Sequence, residues 1–411
     1  FTIAFPDIVD LTRVPKRLWW DIFLLCLHSH WLLLRPCEIH LPLRLGGPLR
    51  QFWLELLRNG LDTLEAYASP KRSEDLEIAI VDGDVVVPYE AVTGNGCATA
   101  FSGGKDSLLQ AALLLELTDR PLLVATTSPM PPLKDHVTAR RMALFDQMKT
   151  RRNPVFVEAV SDFRSNWDNS FAAQKGYHIS VNELTDTFLY TSALAAAGAA
   201  LGFTRLFVAS EAELQENALV DGKIVQHSHF MYTAATQRSV ERLLGPYGLK
   251  LGSLTWPLHT MQIQQLLWAR YPDLADLQYS CWRVGEGEAT CSQCEQCLRI
   301  AMTALASGHD PQKMGIDLPK VIRFSSRWRP IEVRFSKLNL PQDEAADILA
   351  SRVVEAIRGI SLRHLYRVLR SDPKMSSAAC LGALARFIWL RLRTLGIPQP
   401  PPMGLREAYA E

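Results

Sequence analysis

The chain has 411 residues, of which 48% are hydrophobic, and its formal net charge at pH 7 is +1. This length is sufficient for a large core and for more than one domain. The near-zero net charge argues against an electrostatic field that recruits nucleic acid, and no segment has the pattern of an export signal. We therefore expect a cytoplasmic protein that engages neither a membrane nor nucleic acid.

Residues 1–94 are predicted to form an N-terminal extension of mixed α and β structure. The run at 19–34 is apolar and aromatic, but polar residues interrupt it and it is short for a membrane span. We expect a buried helix there and a second helix at 49–67. The segment at 78–88, which is centred on an Asp-Gly-Asp turn, has the pattern of a β-hairpin.

A glycine-containing hexapeptide joins a predicted strand at 97–101 to a predicted helix at 108–117. Its residues are Ser102, Gly103, Gly104, Lys105, Asp106 and Ser107. The glycines permit a tight turn, and the amide groups at the start of the helix attract an anion. Lys105 supplies a positive charge for phosphate oxygens, and the Asp106 carboxylate suits Mg²⁺. The motif predicts a loop that binds the phosphates of a nucleotide.

Two common nucleotide-binding motifs do not fit this loop. A Walker loop requires Gly and Ser or Thr at the positions where this chain has Thr99 and Asp106. A dinucleotide fingerprint requires a third glycine after Gly94 and Gly96, and Thr99 stands there instead. A turn that merely caps a helix remains the alternative, although strand, turn, basic residue and acid all agree on a nucleotide loop.

The residues after the loop predict an α/β fold with a parallel sheet. Strand-like runs at 122–126, 154–160 and 206–209 alternate with helix-like segments at 133–151 and 182–201, which is typical of βαβ units. Helices would cover both faces of such a sheet, and ATP would bind at the carboxyl ends of its strands. Thr126 lies at one of these strand ends and is a candidate contact for adenine.

Four of the eight cysteines occur within a short segment. They are Cys281, Cys291, Cys294 and Cys297. Two intervening residues separate each of the last three, a spacing that allows four thiolates to surround one zinc ion in a structural site. An iron–sulfur cluster is a second interpretation, and a disulfide pair is a third that a cytosolic location disfavours.

The two motifs together resemble one family. The hexapeptide matches the S-G-G-x-D-S loop of PP-loop ATP pyrophosphatases. The elements that follow are similar to those of the 7-cyano-7-deazaguanine synthase (QueC-type) family: the helix led by Asn182, Pro257-Leu258, Ser280-Cys281-Trp282, the three spaced cysteines and Arg299. The resemblance covers about residues 95–308. It implies a PP-loop domain at 95–275 and a four-cysteine zinc knuckle at 276–308, followed by a mainly helical region at 309–411.

The resemblance also implies a reaction. Members of the family use ATP to adenylate 7-carboxy-7-deazaguanine, and an amine then displaces AMP. Lys105 and Asp106 would be the catalytic residues, with ATP and Mg²⁺ bound by the loop. Asn182, Glu211, His227 and His229 are the candidate substrate contacts, since they lie at the ends of elements near the site or in the segment that replaces a family motif.

The chain departs from the housekeeping synthase at one motif and in its length. The Gly-Tyr-Pro-Asp-Cys-Arg element of the synthase is absent, and long flanks surround the shared region. In these respects the chain resembles the QueC-like enzymes of bacterial anti-phage systems (Qat and CBASS), which implies transfer of the activated carboxylate to an amino group of a partner protein. A homodimer is also an expectation.

Three other functions stay open at this point. They are a housekeeping synthase that uses ammonia, a PP-loop enzyme that modifies tRNA, and a non-catalytic scaffold that senses ATP. Residues 351–411 carry ten Lys or Arg against four Asp or Glu, which is typical either of a docking surface for an acidic partner or of a solvated helical face.

Overall fold

A six-stranded, mostly parallel β-sheet with helices on both faces forms the centre of the protein. The computed structural model describes residues 2–34, 38–66, 78–127, 133–163, 181–215, 217–220, 223–226, 230–278, 280–281, 290–325 and 353–394. The strands are β1 (Ile3–Ala4), β2 (Glu38–His40), β3 (Ala79–Val81), β4 (Gly96–Ala100), β5 (Leu122–Thr127), β6 (Val155–Ser161), β7 (Phe203–Phe207), β8 (Asn217–Val220), β9 (Lys223–Gln226) and β10 (Lys250–Gly252).

The helices follow in chain order, and the five whose positions were predicted begin and end within three residues of those positions. They are α1 (Lys16–Leu34), α2 (Gly47–Ala66), α3 (Lys105–Leu117), α4 (Leu133–Lys149), α5 (Val181–Leu201), α6 (Ala234–Leu244), α7 (Thr260–Arg270), α8 (Pro272–Ala275), α9 (Glu295–Ala306), α10 (Leu318–Ser325), α11 (Leu362–Ser371) and α12 (Ser377–Arg393). Residues 353–359 are also helical. None of the helices in the described ranges combines the length and the apolar character needed to cross a membrane.

The strand order of the central sheet is β1-β6-β5-β4-β7-β10. From β4 the chain adds β5 and β6 on one side, and then returns to the other side of β4 for β7 and β10. All neighbours are parallel except β1, which pairs with β6 in the antiparallel direction. The predicted α/β class with a largely parallel sheet is confirmed. The reversal of strand order places a topological switch point between β4 and β7, where open α/β sheets bind their ligands.

Successive residues of the central strands face two different cores. Leu122 and Val124 pack with α1, α2 and α5, whereas Leu123 between them packs with α3, α4 and α7. Burial on both faces explains why this strand is apolar at consecutive positions. The second core also contains α9 to α12, so the helical C-terminal region packs on the same side of the sheet as α3.

The hairpin predicted at 78–88 was wrong. Its strand β3 pairs in parallel with β2, which lies some forty residues earlier in the chain, and the Leu43–Val85 bridge extends this pairing. Gly83 does not form a hairpin turn; a Cβ there would lie 2.3 Å from the carbonyl oxygen of Pro42. The glycine therefore permits close approach of another backbone, and the periodicity of the sequence could not distinguish this role from a turn.

Candidate functional site

The hexapeptide lies at the carboxyl end of β4, beside the switch point. β4 ends at Ala100, and α3 begins at Lys105 with Gly104 as its N-cap. Gly103 has a φ of +83°, a left-handed conformation that favours glycine, and a Cβ there would lie 3.2 Å from Leu144 Cδ1. The strand, turn and helix that were predicted around this motif are therefore present.

Hydrogen bonds between residues of the loop hold its curvature. The hydroxyls of Ser102 and Ser107 lie 2.9 Å apart, and Ser107 Oγ accepts a bond from the Ser102 N–H at 3.2 Å. The Gly104 N–H donates to Ser102 Oγ at 3.3 Å. From α4, Arg141 Nε donates to the Ser102 carbonyl at 3.1 Å. The loop thus has a defined shape at the N-terminus of α3, where the helix dipole favours an anion.

Lys105 is 3% exposed and lies between two carboxylates. Its Nζ donates to both carboxylate oxygens of Asp106, at 2.6 and 2.8 Å, and to Glu211 Oε2 at 2.5 Å. Glu211 follows β7 and also accepts a hydrogen bond from Thr260 Oγ1 at 2.5 Å. Burial favours the neutral amine, but the two carboxylates outweigh burial and raise the pKa of Lys105, so this side chain is a cation.

The two carboxylates differ in their readiness to ionise. Burial raises the pKa of Asp106 to about 7; Lys105 opposes this shift and Glu211 adds to it. For Glu211, burial acts in the same direction, but the charge of Lys105 and the bonds from Lys105 and Thr260 overcome it and lower the pKa to about 2. Glu211 is therefore the permanent partner of Lys105, whereas Asp106 is the carboxylate that a metal ion can recruit at lower cost.

A cavity that is partly open to solvent lies beside the loop. Tyr190 of α5 and Tyr232 supply aromatic surface, and Thr126, the candidate contact for adenine, lies in the wall. The remaining lining residues are Ala100, Phe101, Ser102, Asp106, Ser107, Val124, Val208 and Ala209. The cavity therefore places the phosphate loop beside a largely apolar wall that includes two aromatic rings.

The candidate substrate contacts have different outcomes. Glu211 is in the site, where its observed partners are Lys105 and Thr260. Asn182 lies in the first turn of α5, but its side chain is outside the described part of the structure. His227 and His229 also lie outside the described residues.

The four clustered cysteines converge on one point. Their Sγ atoms all lie within 4.8 Å of one another, with separations of 3.5 Å for Cys294–Cys297 and 3.9 Å for Cys291–Cys297. Sulfurs bound at about 2.3 Å to a tetrahedral zinc ion lie about 3.8 Å apart, so the cluster has the dimensions of a zinc site. The residues present thus fit a metal ion held by four thiolates.

Backbone amide groups that donate to the cysteine sulfurs favour thiolates at this cluster. Repulsion among the four negative thiolates favours a metal cation between them. The Cys291 N–H donates to Cys281 Sγ at 3.3 Å, and the Cys297 N–H donates to Cys294 Sγ at 3.4 Å. The contact with Cys281, together with burial and Cys291, raises the pKa of Cys294 to about 12, although Cys297 acts in the opposite direction. Four thiolates therefore require a cation to exist together, and all four cysteines are free of disulfide bonds.

The cysteine cluster is connected directly to the phosphate loop. Ser280, which precedes Cys281, accepts a hydrogen bond through Oγ from the Lys105 N–H at 3.0 Å. Arg299, on the helix that begins after Cys294, lowers the pKa of Glu211 through its charge. A metal ion that fixes this cluster would also fix the first residue of α3 and would keep the charge of Arg299 near Glu211.

Sequence reasoning missed several residues of the site, three of them on helices. Arg141, Thr260 and Tyr190 lie on three different helices, and none of them belongs to a recognisable motif. Arg141 joins two strand ends, because it donates to the Ser102 carbonyl and through Nη2 to the Thr126 carbonyl at 3.2 Å. Such contacts depend on the order of strands in the sheet, and no local sequence pattern predicts that order.

Comparison with known proteins adds no assignment. A scan against protein-family models finds no match to this chain, and a search of curated proteins finds none either.

Proposed function

We propose that this protein is an ATP-dependent ligase that adenylates 7-carboxy-7-deazaguanine and transfers the acyl group to an amine. The main support is the hexapeptide at the switch point of the sheet, where buried Lys105 pairs with half-buried Asp106 and Asp106 lines a cavity with aromatic side chains in its wall. The resemblance to the 7-cyano-7-deazaguanine synthase family in the loop and in the cysteine motif supplies the substrate.

The reaction has two steps. The substrate carboxylate attacks the α-phosphorus of ATP, the bond between the α and β phosphates breaks, and pyrophosphate leaves. An amine then attacks the acyl carbon of the adenylate, releases AMP and loses a proton to solvent, so that an amide forms. Amide N–H groups of the loop and Lys105 stabilise the charge that develops on pyrophosphate, an effect that preorganised donors supply efficiently.

Magnesium has a supporting role in this scheme. A bound Mg²⁺ would neutralise phosphate charge, and Asp106 is the residue of the loop that would hold it. Lys105 would leave Asp106 and turn to the phosphates, while its bond to Glu211 keeps the ammonium group in the site. The raised pKa of Asp106 fits a carboxylate that gains from a nearby cation.

A protein amine is the proposed acceptor. The segment that would carry the substrate element of the housekeeping synthase has a different sequence, and the flanks at 1–94 and 309–411 offer surface for a partner. A synthase that uses ammonia is the competing candidate. Mass spectrometry separates the two: a protein heavier by one deazaguanine acyl group supports conjugation, whereas a free nitrile base supports the synthase.

The ligase proposal is tested with Asp106→Asn. With ATP, Mg²⁺ and 7-carboxy-7-deazaguanine, we expect wild type to release pyrophosphate and form AMP, and we expect the variant to be slower by about 100-fold or more, since it loses a metal-binding carboxylate. The matched control is Asp119→Asn, because Asp119 is exposed and pairs with Arg152 away from the loop. Equal pyrophosphate release by folded Asp106→Asn protein would overturn the assignment.

A further inference from the structure

Helix α12 has apolar residues on two opposite faces. On one face Cys380, Ala383, Phe387 and Leu390 are buried. This face contributes to the second core and packs against α10 and α11. An ordinary surface helix has a single apolar stripe of this kind, with polar residues opposite to it.

The opposite face of α12 is also apolar, and it is exposed. Leu381, Ile388, Trp389 and Leu392 are 58%, 38%, 59% and 54% exposed, and Ala385 lies among them. These five positions follow the spacing i, i+4, i+7, i+8 and i+11, so they form one stripe about 16 Å long. A continuous exposed stripe of large apolar side chains is typical of an interaction surface.

The charges around the stripe indicate the character of its partner. Helices α11 and α12 contain three arginines each and no Asp or Glu. Arg386 and Arg393 are exposed and lie along one edge of the stripe. Two copies of this chain that met through the stripe would bring arginine against arginine, a repulsive arrangement. An acidic partner is therefore favoured over a second copy.

Small residues on the same edge favour a helix as the partner. Ala378, Gly382 and Ala385 lie at i, i+4 and i+7, and a Cβ on Gly382 would meet nothing within 4 Å. Glycine within a helix is less favourable than alanine, and no neighbouring group requires it here. These small side chains allow the backbone of a second helix to approach closely, as small residues do where two helices pack together. Contact with lipid would not require small residues.

We propose that the exposed face of α12 is a docking site for an acidic amphipathic helix of a partner protein. The partner helix has about three turns, apolar residues on one face and Asp or Glu beside them, so that its acids meet Arg386 and Arg393. This inference rests on the C-terminal helices alone and does not depend on the proposed reaction.

The test uses the full chain and a fluorescein-labelled helical peptide of 18 residues with leucines on one face and glutamates on both flanks. Fluorescence anisotropy should show saturable binding. Trp389→Ala should weaken binding about tenfold, as expected for a central aromatic contact. Leu117→Ala is the matched control, since Leu117 is 70% exposed on a different helix, and it should leave binding unchanged.

Further variants distinguish effects of charge and shape on peptide binding from effects on folding. The double variant Arg386→Glu, Arg393→Glu should no longer bind the glutamate peptide. It should instead bind a peptide with lysines in place of the glutamates. Gly382→Ala should raise the melting temperature, whereas Gly382→Phe should block the peptide in a protein that still melts cooperatively.

Four outcomes would overturn the inference. The first is peptide binding that Trp389→Ala does not change, and the second is a dimer that depends on Trp389. The third is peptide binding that appears only after deletion of residues 395–411. The fourth is Trp389-dependent sedimentation with vesicles of phosphatidylserine and phosphatidylcholine in the absence of peptide binding. The second result would assign the face to a second copy, the third to this chain's own C-terminal segment and the fourth to a membrane.

Discussion

At the scale of single residues, the site is organised around one buried cation. Lys105 contacts both Asp106 and Glu211, so its charge is shared between a carboxylate of the loop and one that follows a neighbouring strand. Because Glu211 is also held by Thr260, it is the fixed member of this group. The arrangement allows Asp106 to exchange Lys105 for another cation while the ammonium group stays in place.

The first prediction concerns the partner of Lys105. In Glu211→Gln, Lys105 should pair more fully with Asp106, which would then be less available to Mg²⁺. We expect pyrophosphate release to fall about tenfold and the Mg²⁺ concentration for half-maximal rate to rise, since a preorganised charge is lost. Steady-state kinetics over a range of Mg²⁺ concentrations measures both quantities. An unchanged Mg²⁺ requirement in a folded variant would contradict the proposed role.

The role of the loop residues could be predicted because it depends only on neighbouring positions in the sequence. Glycine in the left-handed region, a cation and an acid at a helix N-terminus all follow from adjacent positions in the sequence. Glu211 was expected as a contact for substrate, and that role stays a prediction, whereas its observed bond to a lysine 106 residues away was not foreseen. That contact follows from β4 and β7 being neighbours in the sheet, which a single sequence does not specify.

At the scale of elements, the cysteine cluster supports the start of α3. The contact between the Lys105 N–H and Ser280 Oγ joins the two motifs, although about 175 residues separate them. The spacing of the cysteines predicted their convergence, because metal ligands of this kind are close in sequence. Their contact with the loop was not predictable, because it depends on how α7 packs against both α3 and α9.

The second prediction is that purified protein contains one zinc ion per chain, held by this cluster. Cys297→Ser should lose most of that zinc and melt at a lower temperature, because binding of metal stabilises the folded state. Elemental analysis of the purified protein and calorimetry provide the measurements. Cys97→Ala is the control, since Cys97 lies in β4 outside the cluster, and its zinc content should match wild type. Zinc retained in full by Cys297→Ser would count against the site.

The third prediction concerns pH and the packing of α1. His28 is completely buried, lies edge-on to Phe188 of α5 and donates through Nε2 to the Leu56 carbonyl of α2. Burial lowers the pKa of His28 to about 4, from an ordinary value of 6.5. The unfolded chain therefore binds a proton before the folded chain does. Stability contributed by neutral His28 is complete above pH 6.5 and decreases by about 1.4 kcal/mol per pH unit as pH falls towards 4.

The variant His28→Gln isolates this effect from other titrating groups. Asp21 changes stability in the opposite direction over part of the same range, since burial raises its pKa to about 6. Urea unfolding at several pH values should therefore be compared between wild type and variant. The advantage of wild type should shrink as pH falls from 6.5 to 4, and a constant difference would show that His28 does not titrate in this way.

At the scale of the whole molecule, the N-terminal residues are part of the main architecture. β1 adds an edge strand to the central sheet, and α1 covers α5 within the first core. Tyr247 Oη donates to Asp21 at 2.5 Å, which joins α1 to a turn 226 residues later. The sequence indicated helices in this region, but their packing on the sheet depends on contacts between distant segments.

The last prediction follows from this packing. Deletion of residues 1–94 would expose the apolar face of α5, including Phe188 and Leu189, and would leave Tyr247 without its buried partner. Burial of apolar side chains contributes about 25 cal/mol for each Å² removed from water, so loss of two helices from one core exceeds the stability of an ordinary domain. We expect the remaining chain to aggregate or to bind a dye specific for exposed apolar surface, as measured by light scattering and dye fluorescence. A soluble 95–411 fragment that melts cooperatively and cleaves ATP would contradict this view.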